Sequence, residues 1–133
     1  MRRSLVAVLV AGLLGAGLIA STATAAPTGT RLSIAGHAQL ISPTTLLVEV
    51  TLSCQPFVFQ GGQQGVGFVS LTVQSEETAG VGFGSTQMTC DGSPHTNVVV
   101  VTGGPFAPGN ARVAGTGCGL FCDEDIRRIQ IVV

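Results

Sequence analysis

Period-two alternation of apolar and polar residues is the feature that most narrows what this chain can fold into. In TLLVEVTLSC, residues 45–54, Leu46, Val48, Val50, Leu52 and Cys54 share one face, while Glu49, Thr51 and Ser53 share the other. That pattern is a strand buried on one side only. RLSIAGHAQLI repeats it, with Leu32, Ile34, Ala38 and Leu40 inward and His37 and Gln39 outward, and the turn residues SPTT join the two as a hairpin. Beyond the first 25 residues no segment carries the 3.6-residue stripe of an amphipathic helix.

Five more strands are expected: 66–74 (VGFVSLTVQ), 79–90 (AGVGFGSTQMTC), 96–102 (TNVVVVT), 110–117 (NARVAGTG) and 126–133 (IRRIQIVV). Gly61-Gly62, Asp91-Gly92, Gly103-Gly104-Pro105 and Pro108-Gly109 punctuate them. In the second of the five, Val81 and Phe83 are out of phase with Met88 and Cys90, which predicts a bulge or bend at Gly82 to Ser85. Val98 to Val101 read as a strand covered on both faces. About seven short strands with regularly spaced turns predict an all-β, antiparallel β-sandwich.

The N-terminus places Arg2 and Arg3 ahead of an apolar run from Leu5 to Ala20 and the small residues Ala23-Thr24-Ala25. This is the order of a cleavable secretory signal peptide, residues 1–25, and the apolar run is shorter than a bilayer span requires. The expected mature domain is residues 26–133, released with no membrane span. It has four arginines, no lysine and seven acidic residues, a formal net charge of −3. Nucleic-acid and anionic-membrane partners call for a basic patch, and only Arg127 and Arg128 are adjacent in sequence, so neither partner is expected.

Cys54, Cys90, Cys118 and Cys122 all fall in the mature part. An even count in a small exported chain predicts two disulfides, with three connectivities open in principle. If each strand reverses the one before, the loops at 55–65, 91–95 and 118–125 share one end of the sandwich. That arrangement favours Cys54 with Cys90 and Cys118 with Cys122. It holds only if 79–90 is one strand, because a hairpin there would add a reversal.

GTGCGLFCDEDIRR, residues 115–128, raises the question of a redox or metal centre. Three residues separate its cysteines, one more than in a thioredoxin-type motif, and no helix is expected to follow, so a structural disulfide is the reading. Asp123, Glu124 and Asp125 lack the alternating ligands and turn glycine of an EF-hand loop. They read as a solvated charge cluster, with no metal expected. Asp91 and His95 lie in one turn, but no G-x-S-x-G elbow supplies a nucleophile, and no catalytic residue or cofactor is expected. Phe57 and Phe59, in a long loop at the same end as Phe121, are expected to pack under that loop as a satellite core; the alternative is a binding surface made of Phe57, Phe59, His95, Phe121 and Asp123, with Gln55 and Gln60 around it.

VEVTLSCQPF, TCDGSPHTNVVVV, FAPGNARVAGTGC and IRRIQIVV together resemble a group of small exported immunoglobulin-like proteins of high-GC Gram-positive bacteria. The resemblance implies an immunoglobulin-like β-sandwich and no particular activity. The chain is also similar, more remotely, to the neocarzinostatin-type apoproteins in export, size, acidity and a short cysteine loop. In that family both disulfides close short loops, whereas Cys54 and Cys90 are 36 apart, so no binding residue is carried over. The function expected is a secreted, non-enzymatic interaction module for a protein or small-molecule ligand. A small-molecule carrier with an apolar pocket is the alternative, ahead of an extracellular hydrolase.

Overall fold

The computed structural model describes residues 29–59 and 62–133. The expected signal peptide and Gln60 lie outside the described residues, as do the side chains of Phe57 and Phe59. Nine strands follow in order: β1 Arg31–Ser42, β2 Thr45–Ser53, β3 Phe57–Phe59, β4 Gly62–Gln64, β5 Val66–Ser75, β6 Val81–Thr89, β7 Pro94–Gly104, β8 Gly109–Cys118 and β9 Cys122–Val132. Among the described residues none is helical, and no helix is long and apolar enough to cross a membrane.

The expected immunoglobulin-like sandwich is not what forms. Seven strands close into a barrel in the order β1-β2-β7-β6-β5-β8-β9, and β3 with β4 make a small hairpin apart from it. Closure depends on a bend in β1. Between the pairs Ile34 with Val50 and Ala38 with Val48, β1 advances four residues while β2 advances two. Extra residues of this kind kink a strand and re-aim the stretch beyond the kink. His37–Gln39 consequently run parallel to Gln130–Val132 of β9 and shut the ring.

The seams of the ring differ in strength. Five neighbouring pairs share eight to ten residue pairs each, but β1–β9 and β6–β7 share three each. Side chains extend both short seams. Asp123 Oδ2 accepts the Leu32 N–H at 2.8 Å and Asp125 Oδ2 accepts the Ile34 N–H at 2.9 Å, in place of strand carbonyls. At the other seam the Asn97 amide donates to the Gln87 carbonyl at 3.4 Å and accepts the Val98 N–H at 2.8 Å. An amide side chain thus occupies the place of a peptide unit between β6 and β7.

Three further expectations are corrected. The β6 ladder with β5 runs from Val66–Thr89 to Gln74–Val81 without a register break, so there is no bulge at Gly82 to Ser85. The phase conflict has another cause: Val81 and Phe83 point outward, and glycines fill the inward positions. A Cβ on Gly82 would lie 2.5 Å from Phe106 Cζ, and one on Gly84 would lie 2.4 Å from the Val100 carbonyl oxygen. Only Val99 and Val101 of the valine run are buried, leaving Val98 45% and Val100 52% exposed. The acidic triplet belongs to β9, and not to the preceding loop.

Inside the ring, Ile34, Leu46, Val48, Val50, Leu52, Val69, Val73, Val99, Val101, Val113, Ile129 and Ile131 are essentially inaccessible. Each contributes roughly 1.5–3 kcal/mol relative to exposure. Gly115 and Gly117 let β8 approach Leu71 and Leu52 so closely that a Cβ at either would sit 2.6–2.7 Å from a leucine methyl. The interior is packed with side chains.

Both expected disulfides form, with Cα separations of 4.8 Å for Cys54–Cys90 and 4.1 Å for Cys118–Cys122, and no cysteine is free. Because β6 is one strand, the parity argument holds, and the three loops meet at one end. Gly92 N–H bonds the Cys54 carbonyl at 2.9 Å, and a Cβ on Gly119 would contact Cys54 and the Cys90 sulfur. Two disulfides fit an oxidising compartment outside the cytoplasm.

Candidate functional site

The disulfide-bearing end collects the residues expected to form a binding surface, but gives them different work. Asp91 Oδ1 accepts the Ser93 N–H at 2.9 Å and pairs with His95 Nε2 at 2.8 Å. The Ser93 N–H, and after it the His95 imidazole, hold the Asp91 carboxyl below its ordinary value. One carboxylate oxygen therefore carries both contacts, which is how an Asx turn caps itself. His95 is the second residue of β7, opposite Leu52.

Phe121, at the tip of the Cys118–Cys122 hairpin, is 61% exposed. Its carbonyl accepts bonds from Gly119 N–H at 2.9 Å and Thr30 Oγ1 at 2.6 Å, tying the chain entering β1 to this hairpin. Asp123 is committed to the β1–β9 seam, and Asp125 to the seam and to Arg127 Nε at 3.0 Å. The two aspartates, two residues apart, point to one side of β9 as alternation requires. They serve as backbone acceptors, a role that differs from the solvated cluster expected. Among the described residues no three His, Cys, Asp or Glu side chains are grouped to hold a metal ion.

A concavity of about 390 Å³ lies beside this end, lined by Arg31, Leu32, Ser33, Thr51, Ser53, Pro94 and Asp123. Of the residues expected at the surface whose side chains are described, Asp123 alone lines it. Gln55 is exposed near Gly92, away from this lining.

A second surface lies outside the expected one. On the outer face of the barrel Leu47 is paired with Val100 and Glu49 with Val98. Together with His37, Gln39, Val132 and Val133, Leu47, Glu49 and Val98 line a shallow concavity of about 310 Å³. Val100 extends the apolar surface alongside, and a hydroxyl pair, Thr51 with Thr96 at 2.9 Å, edges it further along the same two strands. The sequence did hold a signal for this face: in an antiparallel strand, four consecutive valines must place two outward.

Comparison of the sequence with protein-family models and with curated proteins returns no match.

Proposed function

We propose that the protein is exported and acts as a non-enzymatic binding module, docking a partner protein on the outer face of β1, β2 and β7. The observation that carries this reading is the exposure of Val98 and Val100 beside Leu47, on a face whose β2 and β7 positions include one charged residue, Glu49. Protein interfaces have this chemistry: an apolar centre depleted of charge, with a polar rim. Export is supported by the Arg2-Arg3, apolar, Ala-x-Ala order at the N-terminus and by the disulfides. The packed interior supports surface docking over carriage of a small molecule inside the barrel. Commitment of Asp91 Oδ1 to the turn supports a non-enzymatic role for that pair.

The test is a photo-crosslinking residue at position 100, with position 70 on the opposite outer face as control, in protein secreted into the producing culture. A partner protein captured from position 100 and not 70, then bound by purified protein and lost in V98D/V100D, supports the reading. Equal capture from both positions, or binding that survives V98D/V100D, overturns it. A bound small-molecule mass in the secreted protein would favour the carrier.

A further inference from the structure

We infer that Arg112 and Arg128 form a binding site for a small dianionic oxyanion, a phosphate or phosphomonoester group. They are two of the four arginines that follow residue 28 in a chain with no lysine. Strand pairing brings them together at one concavity of about 510 Å³, also lined by Glu76, Ile126 and Arg127. Sequence spacing hides this, because Arg112 comes from β8 and Arg128 from β9.

Arg112 and Arg128 sit directly opposite each other across the β8–β9 ladder. Like charges so placed repel and weaken a sheet. One carboxylate offsets the repulsion: Glu76 Oε2 accepts from Arg128 Nη2 at 2.6 Å and from Nε at 3.2 Å. Arg127 is held by Asp125 at 3.0 Å. Arg112 makes no side-chain hydrogen bond or ion pair among the described residues, so its planar donor fork faces the concavity unused. A second anion between Arg112 and Arg128 would relieve the repulsion that Glu76 relieves only in part.

The geometry selects the ligand class. Guanidinium forks match oxyanions bidentately, and a phosphomonoester offers three oxygens and two charges to the two facing forks. A phosphodiester offers two oxygens and one charge. The negative formal charge of the chain disfavours a long polyanion, and Ile126, 73% exposed at the rim, supplies apolar contact for whatever carries the phosphate.

The test uses the full secreted protein titrated with inorganic phosphate, following the arginine Nε–H signals by NMR, with sodium chloride at matched ionic strength as reference. Saturable shifts at Arg112 and Arg128 are expected with phosphate and not with chloride. R112Q should weaken binding by about tenfold or more, as loss of a charge-assisted pair does. E76Q, which frees Arg128, should tighten it, while R31Q should leave it unchanged. Shifts that fail to saturate, that chloride reproduces, or that R112Q and E76Q leave unaltered would overturn the assignment. Because the two variants act in opposite directions, a folding defect in one cannot imitate the result.

Discussion

If Asp123 and Asp125 stand in for strand carbonyls at the β1–β9 seam, removing their oxygens should open the barrel locally. In D123A and D125A the Leu32 and Ile34 N–H groups lose acceptors at 2.8 and 2.9 Å. A hydrogen bond to a charged group contributes about 1.5–3 kcal/mol, and partial exposure of both carboxylates argues for the lower part of that range. We expect about 1–2 kcal/mol for each substitution and roughly 2–4 kcal/mol for the pair, a large share of the ~5–15 kcal/mol that holds a domain folded. At about 4–8 °C per kcal/mol, the double variant should melt roughly 8–32 °C lower. Asparagine keeps a neutral acceptor, and charge-assisted bonds are about twice as strong as neutral ones, so D123N/D125N should lose near half as much. E124A removes the same charge from the opposite side of β9 and should stay within about 0.5 kcal/mol of the parent. The assays are thermal melting and amide hydrogen exchange, with Leu32 and Ile34 exchanging faster in the alanine variants. Unchanged exchange at those two amides, or equal losses in E124A, would refute the argument.

Other substitutions separate the remaining terms. Replacing Cys54 and Cys90 by serine should cost about 4 kcal/mol on chain-entropy grounds, against about 2 kcal/mol for Cys118 and Cys122, measured by denaturant midpoints; the reverse order would contradict the assignment. Gly84→Ala, whose Cβ would lie 2.4 Å from the Val100 carbonyl oxygen, should cost about 1–3 kcal/mol, while Gly36→Ala, with nothing within 4 Å, should be near neutral. Asp91 should titrate below its ordinary value of 3.8. Any stability its turn contributes is therefore present above pH 3.8 and lost as pH falls through the folded value. A carboxyl-carbon NMR titration with its midpoint at or above 3.8 would contradict the turn.

What local pattern encodes, the sequence revealed. The alternation in 45–54 and the turn at Ser42 to Thr45 located β1 and β2, and the direction of successive strands located both disulfides. Closure was not legible, because the pairing of β1 with β9 joins segments some ninety residues apart and leaves no local mark beyond Gly36 in the bend. In β6 the hydrophobic rule pointed the wrong way. Inward positions there need the absence of a side chain, so Gly82 and Gly84 face the core while Val81 and Phe83 face out. The seam role of Asp123 was hidden for a similar reason: it and Asp125 each accept one backbone N–H of β1 that only the closed ring brings near. The meeting of Arg112 with Arg128 is also a product of strand register, which residue types did not announce, whereas the run of four valines did carry the signal for the Val98–Val100 face.

The central claim is that the sheet closes into a barrel. It is tested most directly by backbone NMR of the purified protein, seeking through-space contacts and exchange protection at the two short seams. Parallel-type contacts between His37–Gln39 and Gln130–Val132, with antiparallel ones between Val81–Phe83 and Thr102–Gly104, are the predicted result. Their absence, with fast-exchanging amides along that side of β1 and β9, would show an open sheet and contradict the account.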